Sequence, residues 1–191
     1  VPLLLMLLAL DVVAFISTTN NAAARANLRV RSESCDSSWL DVLKWEGQKP
    51  DFDVLERVKQ YTSEPGYKSF VLRDIPNSYY ADDYVFRGPI VGPINRKDLV
   101  QTNTVFGIDE AFPDLDRQTF GFTIDPENPY RVLFFERWKA THTGNLAIDG
   151  LPLGPATGNK SISPVMPFSI TFNPNGKIIY ECLTTAVDRF E

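Results

Sequence analysis

"YRVLFFERWKATHTG", residues 130 to 144, decides the fold class, because its aromatic and β-branched residues suit a strand far better than a helix. Gly144 and Asn145 close it with a turn signal. Side chains alternate faces along a strand, so Val132, Phe134, Glu136, Trp138, Ala140 and His142 fall on one side and Arg137 on the other. The shared side is mostly apolar and aromatic, with one carboxylate inside it and the chain's single histidine at its end. A carboxylate buried among such neighbours has to be paired or neutral.

Working outward, "RQTFGFTID", "SISPVMPFSITFNP" and "GKIIYECLTTAVD" read as further strands, and "NPNG" at 173 to 176 reads as a hairpin turn. The Pro- and Gly-rich residues 149 to 160 read as one long loop. Upstream, the period changes to that of helices. Trp39, Leu40 and Leu43 share a face of one short helix. Phe52, Leu55, Val58 and Tyr61 recur on a second that Asp51 or Asp53 can cap. Tyr84 and Phe86 lie on a short strand ended by two Gly-Pro pairs. A third helix starts at Asn95 and carries Leu99, Val100, Asn103 and Phe106 on one face. Helices followed by consecutive strands predict an α+β fold, an antiparallel sheet wrapped on helices.

At 191 residues and 43% hydrophobic, the chain can bury one sizeable core. A net charge of -5 with no basic cluster in the body excludes nucleic acid as a partner. Cys35 and Cys182 are far apart and have no metal-ligand spacing, so no metal site is expected. Phosphate loops, dinucleotide fingerprints and nucleophile elbows are missing, and no cofactor is expected.

Residues 1–32 read as a targeting presequence. "VPLLLMLLAL" has the character of a signal core, too short and too interrupted by Asp11 for a secure membrane span. Residues 15 to 32 carry Arg25, Arg29 and Arg31 and no acid, a transit-like composition. Phe15 after Ala14 resembles the bipartite plastid presequence of algae with secondary plastids, which implies plastid import; secretion is the alternative. Residues 33–50 are then a linker with a short helix, and 51–191 the folded domain.

Several stretches of that domain together resemble the NTF2-like superfamily, in its SnoaL-like polyketide-cyclase branch. They are "DDYVFRGPIVGP", "AFPDL", "RWKATHTGNL", "GLPLGPATGNK" and "NGKIIYECLTTAVD", in that order. The resemblance implies a cone formed by a curved sheet around N-terminal helices, with an internal pocket. It also implies a His–Asp acid–base pair for cofactor-free cyclisation, matched here by His142 and Asp188, with Glu136 in reserve. Trp138, Phe134, Phe86, Tyr84 and Phe106 would line the pocket. The occupant implied is a small hydrophobic carbonyl compound, turned over by an isomerase, cyclase or dehydratase. Two alternatives stay open: a non-enzymatic binder of a pigment or lipid, and a protein-interaction module. A homodimer through the outer sheet face is one arrangement this kind of fold implies. Read from the residues alone, His142 equally suits a histidine satisfying a backbone group at a strand end.

Overall fold

The computed structural model describes residues 47–89 and 91–184. The first expected helix and Asp188 lie outside them. Helix α1 (Val54–Ser63) begins where the Asp53 side chain accepts the Glu56 N–H at 2.9 Å. It buries Val54, Val58, Tyr61 and Thr62, a helical spacing that lays one face on the sheet. Pro65 opens a single further turn, α2 (Pro65–Lys68), and two short 3-10 turns lead to strand β1 (Tyr80–Arg87). Helix α3 (Arg96–Phe106) is capped by Asn95 and ends at Gly107, whose φ of 53° lets the chain turn directly into α4 (Ile108–Ala111).

The strands follow as β2 (Asp116–Asp125), β3 (Asn128–Thr141), β4 (Leu146–Ile148), β5 (Leu151–Gly154), β6 (Lys160–Ile162), β7 (Met166–Phe172) and β8 (Ile178–Leu183). The main sheet is curled, ordered β1-β8-β7-β3-β2, with β6 paired to the far end of β3. The architecture is therefore the expected α+β cone. Three details differ from the sequence reading. The sheet is mixed rather than purely antiparallel, because β1 runs parallel to β8. Residues 88 to 177, with six other strands, separate these two strands, so no tight turn forces them to be antiparallel. Residues 149 to 160 are not one long loop: β4 and β5 form a hairpin whose turn, Asp149 (φ 51°) and Gly150 (φ 75°), has the two positive-φ residues a tight hairpin requires. "SISPVMPFSITF" is two strands, broken where the Ser163 hydroxyl takes the Trp138 N–H in place of a strand partner.

The face alternation read for β3 holds. Val132, Phe134, Glu136 and Trp138 are buried, while Leu133, Phe135 and Lys139 are exposed. The inner face packs on α1 and α2 through Val58, Tyr61, Tyr67, Val132, Phe134, Phe168, Ile170 and Ile178. A second apolar cluster gathers Phe106, Ile108, Ala111, Phe112, Leu115, Trp138 and Leu146 under the β4–β5 hairpin. On the outer face Phe135 lies across Gly121 so closely that a Cβ there would sit 2.9 Å from the ring. Only glycine fits that position, and its φ of 68° adds the same demand.

Candidate functional site

Among the described residues Glu136 and Glu181 are buried on the inner side of the sheet, and their surroundings differ sharply. Glu136, projected inward by the alternation of β3, meets Arg117 from the neighbouring strand β2, which β2–β3 pairing sets opposite Trp138. Arg117 donates from Nε to Glu136 Oε2 at 3.0 Å and from its second terminal nitrogen to Oε1 at 2.9 Å. Trp138 Nε1 donates to Oε2 at 2.7 Å, and the Tyr67 hydroxyl donates to Oε1. Every strong acceptor direction of Glu136 is thus occupied, and neither side chain of the pair has more than 2% exposure. The guanidinium lies 3.8 Å from the centre of the Tyr67 ring and 5.2 Å from that of Trp138. Burial alone would lower the proton affinity of Arg117. Glu136, with Tyr67, outweighs that and drives it upward, so the cation is permanent.

Among the described residues Glu181, on β8, has no such partner. Its Oε2 accepts from the Tyr84 hydroxyl at 2.8 Å and from the Tyr61 hydroxyl at 3.2 Å, and Tyr61 is in turn 3.0 Å from the Tyr80 hydroxyl. These are neutral donors. Burial pushes the Glu181 carboxyl above the ordinary range, against the pull of Arg117 and the two phenols. Burial, and then Glu181 itself, likewise push Tyr61 and Tyr84 upward, so both remain hydroxyl donors. Tyr61 and Tyr67 stack edge to face at 4.9 Å, each sending its hydroxyl to a different carboxyl. One wall of tyrosines therefore joins a charge-paired carboxylate to one whose proton affinity burial raises. Such a pair can divide the labour of acid–base chemistry.

His142 lies elsewhere. It follows β3, six residues beyond Glu136 and on the order of 20 Å along the strand. It is 4% exposed, its ring stacked on Phe112 at 5.1 Å. Nδ1 is 3.1 Å from the Thr157 hydroxyl, and Nε2 is buried with no partner among the described residues. Its backbone N–H donates to Asn159 O and its carbonyl accepts from Gly158 N–H, both at 2.9 Å. Thr143 and Gly144 donate to Ala111 O, and Asp114 accepts the Thr141 N–H at 2.7 Å. The stretches "THTG", "PATGN" and "AFPDL" thus meet at one place, where they tie the end of β3 to α4 and to the loop after β5. The arrangement accounts for their spacing. Among the described residues no carboxylate is hydrogen-bonded to the His142 side chain.

Of the side chains expected at a pocket, Phe134 and Tyr84 border the carboxyl-bearing interior, and Trp138 belongs to the second cluster while its indole N–H reaches Glu136. Phe86 is partly buried at the edge of the first cluster, and Phe106 belongs to the second. Sequence reading missed Arg117 and Glu181. Arg117 becomes visible once "RQTFGFTID" is registered against β3, because it then faces Glu136. Glu181 shares a face with Ile178 only across an irregular strand, so simple alternation hides it.

The chain is an α+β cone with a polar, tyrosine-lined heart. Solved structures similar to it include a SnoaL-like protein named after the polyketide cyclases from Jannaschia, with 17% identity, 72% of this chain and 90% of that one covered, and a TM-score of 0.47. Another polyketide-cyclase-like protein, from Acidithiobacillus ferrooxidans, has 20% identity over 69% of this chain and 87% of its own, with a TM-score of 0.45. An NTF2-like protein of unknown function from Exiguobacterium has 15% identity over 69% of this chain and 96% of its own, at 0.44. No family model and no curated protein matches the sequence. Among the described residues no helix is long and apolar enough to cross a membrane, and no group of side chains could hold a metal ion.

Proposed function

We propose that the chain is a cofactor-free proton-transfer enzyme, an isomerase, cyclase or dehydratase acting on a small hydrophobic carbonyl compound, with Glu181 as the group that moves the proton. One observation carries this reading: a buried carboxyl held, among the described residues, by phenol hydroxyls alone, with its proton affinity raised by burial. A raised proton affinity brings a carboxyl closer to the working range of a general acid or base than an exposed one. Tyr61 and Tyr84, each giving its one hydroxyl hydrogen to Glu181, hold the carboxyl in place. His142 and Asp188, the pair implied by resemblance, give way in this reading to Glu181 and its tyrosines. The test is hydrogen–deuterium exchange at carbon beside the carbonyl, followed by NMR in deuterium oxide over a panel of cyclic ketones and β-dicarbonyl compounds. The expected result is acceleration by about 100-fold or more for part of the panel; no acceleration anywhere in it contradicts the proposal.

A second reading concerns association. Phe120 and Phe135 are paired across β2 and β3, stacked at 5.9 Å, and exposed on the outer face beside Leu133. Contiguous aromatic surface of this sort favours a partner, and we take a homodimer through this face as the simplest one. Sedimentation of the native protein as a dimer and of Phe135→Glu as a folded monomer would support it; a monomeric native protein would not. For destination we propose plastid import, supported by the Arg-rich, acid-free composition of residues 15 to 32. Secretion of a reporter fused to residues 1 to 40 behind an initiator Met overturns that.

A further inference from the structure

We propose that residues 70–75 form a lid over the tyrosine-lined interior, latched shut by Arg96 and Asn103 of α3, and that this lid opens to let a small molecule reach Glu181. The use made of the opening rests on reading Glu181 as the proton-moving group; the opening itself does not.

Glu181 is 4% exposed and Tyr61 and Tyr84 are each 1% exposed, so nothing from solvent meets the carboxyl unless part of its cover moves. Much of that cover is sheet or long helix. Residues 70–75 are neither: they have no strand pairing among the described residues. Their own backbone bonds are local, from the Asp74 N–H to Val71 O at 3.0 Å and from the Ile75 N–H to Leu72 O at 3.3 Å. The segment can therefore lift as a unit without breaking the sheet. It closes by seating Leu72 and Ile75 in the cluster that holds Tyr61, Tyr80 and Tyr84, and the Phe70 ring 4.8 Å from that of Trp138. One face of α3 supplies the latch. Asn103 donates to Phe70 O at 3.0 Å and accepts the Leu72 N–H at 3.2 Å. Arg96, about two turns earlier on the same face, donates from Nη2 to Leu72 O at 2.5 Å and to Ile75 O at 3.4 Å. The Arg73–Asp109 bridge at 2.8 Å is an exposed tie that adds little. Two features oppose closure. Phe70 has a φ of 59°, a conformation sparsely populated by bulky side chains. Arg96 stacks on the Tyr80 ring at 4.1 Å, yet its Nε and Nη1 are buried with no acceptor among the described residues. Lifting the lid gives those donors water. Local bonding, strain and unmet donors in one short segment are what local opening draws on. The motion ends at Tyr79, which donates to Glu64 at 2.7 Å and stacks on Tyr61 at 5.4 Å.

Native-state amide exchange of the full chain, followed by NMR, tests the lid. The Asp74 and Ile75 amides are the reporters, because each keeps its own acceptor inside the lid in every variant used. In the native protein both exchange about 10-fold or more faster than the Val132 and Ile170 amides of the sheet, with little dependence on urea, as a local opening requires. Asn103→Ala removes two latch bonds that opening must break, and it should speed both reporters by about 10-fold. Ile170→Val weakens a part of the core that stays folded when the lid lifts. It should speed the Val132 amide by about 3-fold or more and leave the reporters unchanged. Access to the interior is read separately, by labelling the thiol of Tyr84→Cys with a small reagent in a chain also carrying Cys35→Ser and Cys182→Ser. Labelling should quicken with Asn103→Ala and ignore Ile170→Val. Reporters that exchange as slowly as the sheet, that ignore Asn103→Ala, or that follow Ile170→Val overturn the proposal, and so does labelling that follows Ile170→Val. Should Asn103→Ala not fold, Arg96→Met, which removes the other two latch bonds, takes its place; should Tyr84→Cys not fold, the amides decide. None of these readouts involves turnover, so a lid that opens in a protein inactive across the substrate panel sinks the enzymatic reading alone.

Discussion

Replacing Arg117 with Met keeps the length of the side chain and removes its charge and donors. Glu136 would then sit at 0% exposure with only Tyr67 and Trp138 to serve it, having lost bonds of 2.9 and 3.0 Å to the guanidinium. Removing one partner of a buried ion pair typically costs about 3–5 kcal/mol, because the other charge is left uncompensated. For a chain of this size that corresponds to a fall in Tm of about 6–20 °C. Glu136→Leu should cost a similar amount, since it strands the guanidinium instead. The double variant Arg117→Met/Glu136→Leu removes both charges and should cost no more than the worse single variant. It still leaves Trp138 Nε1 and the Tyr67 hydroxyl without their acceptor, which keeps it below native stability. Urea unfolding followed by far-UV circular dichroism gives the three free energies, and a coupling of about 2–3 kcal/mol is expected between the two sites. Single variants that each cost under about 1 kcal/mol, or costs that simply add, would refute the reasoning.

Two further outcomes follow from the same structure. Gly144→Ala should destabilise by about 2 kcal/mol or more, because a Cβ there would lie 1.9 Å from the Glu110 carbonyl oxygen and break the paired N–H donation to Ala111; thermal unfolding checks it, and a native-like Tm would contradict it. Glu181→Gln should gain on the native protein in stability as pH rises. The folded Glu181 carboxyl is raised, so its contribution is fully present below the ordinary glutamate range and is lost as pH climbs through the folded value. The glutamine variant has no such loss, and unfolding curves recorded below the ordinary glutamate range and well above it would show the difference widening.

The sheet and its inner face were legible because β3 is long and strictly alternating: Val132, Phe134, Glu136 and Trp138 are where period two puts them. The caps were legible for a local reason, since Asp53 and Asn95 each bond an N–H three residues on. What stayed hidden was whatever depends on how strands meet. Glu136 was recognised as an acid that must be paired, but its partner is on another strand, and only the register between Arg117 and Trp138 delivers it. The Asp149–Gly150 hairpin was obscured by the prolines and glycines around it. His142 stood out because it is the only histidine. The shared spacing of "THTG" and "PATG" is accounted for by packing: the backbone of His142 is clasped by Gly158 and Asn159.

The central claim, that the chemistry resides at Glu181 and not at His142, is tested most directly by one comparison. Deuterium exchange beside the carbonyl is measured for the native protein, Glu181→Gln and His142→Gln, on whichever probe of the panel the native protein accelerates. The account predicts that Glu181→Gln loses the acceleration by about 100-fold or more, while His142→Gln, once folded, keeps it within a few-fold. Exchange that survives in Glu181→Gln and disappears in a folded His142→Gln would contradict it.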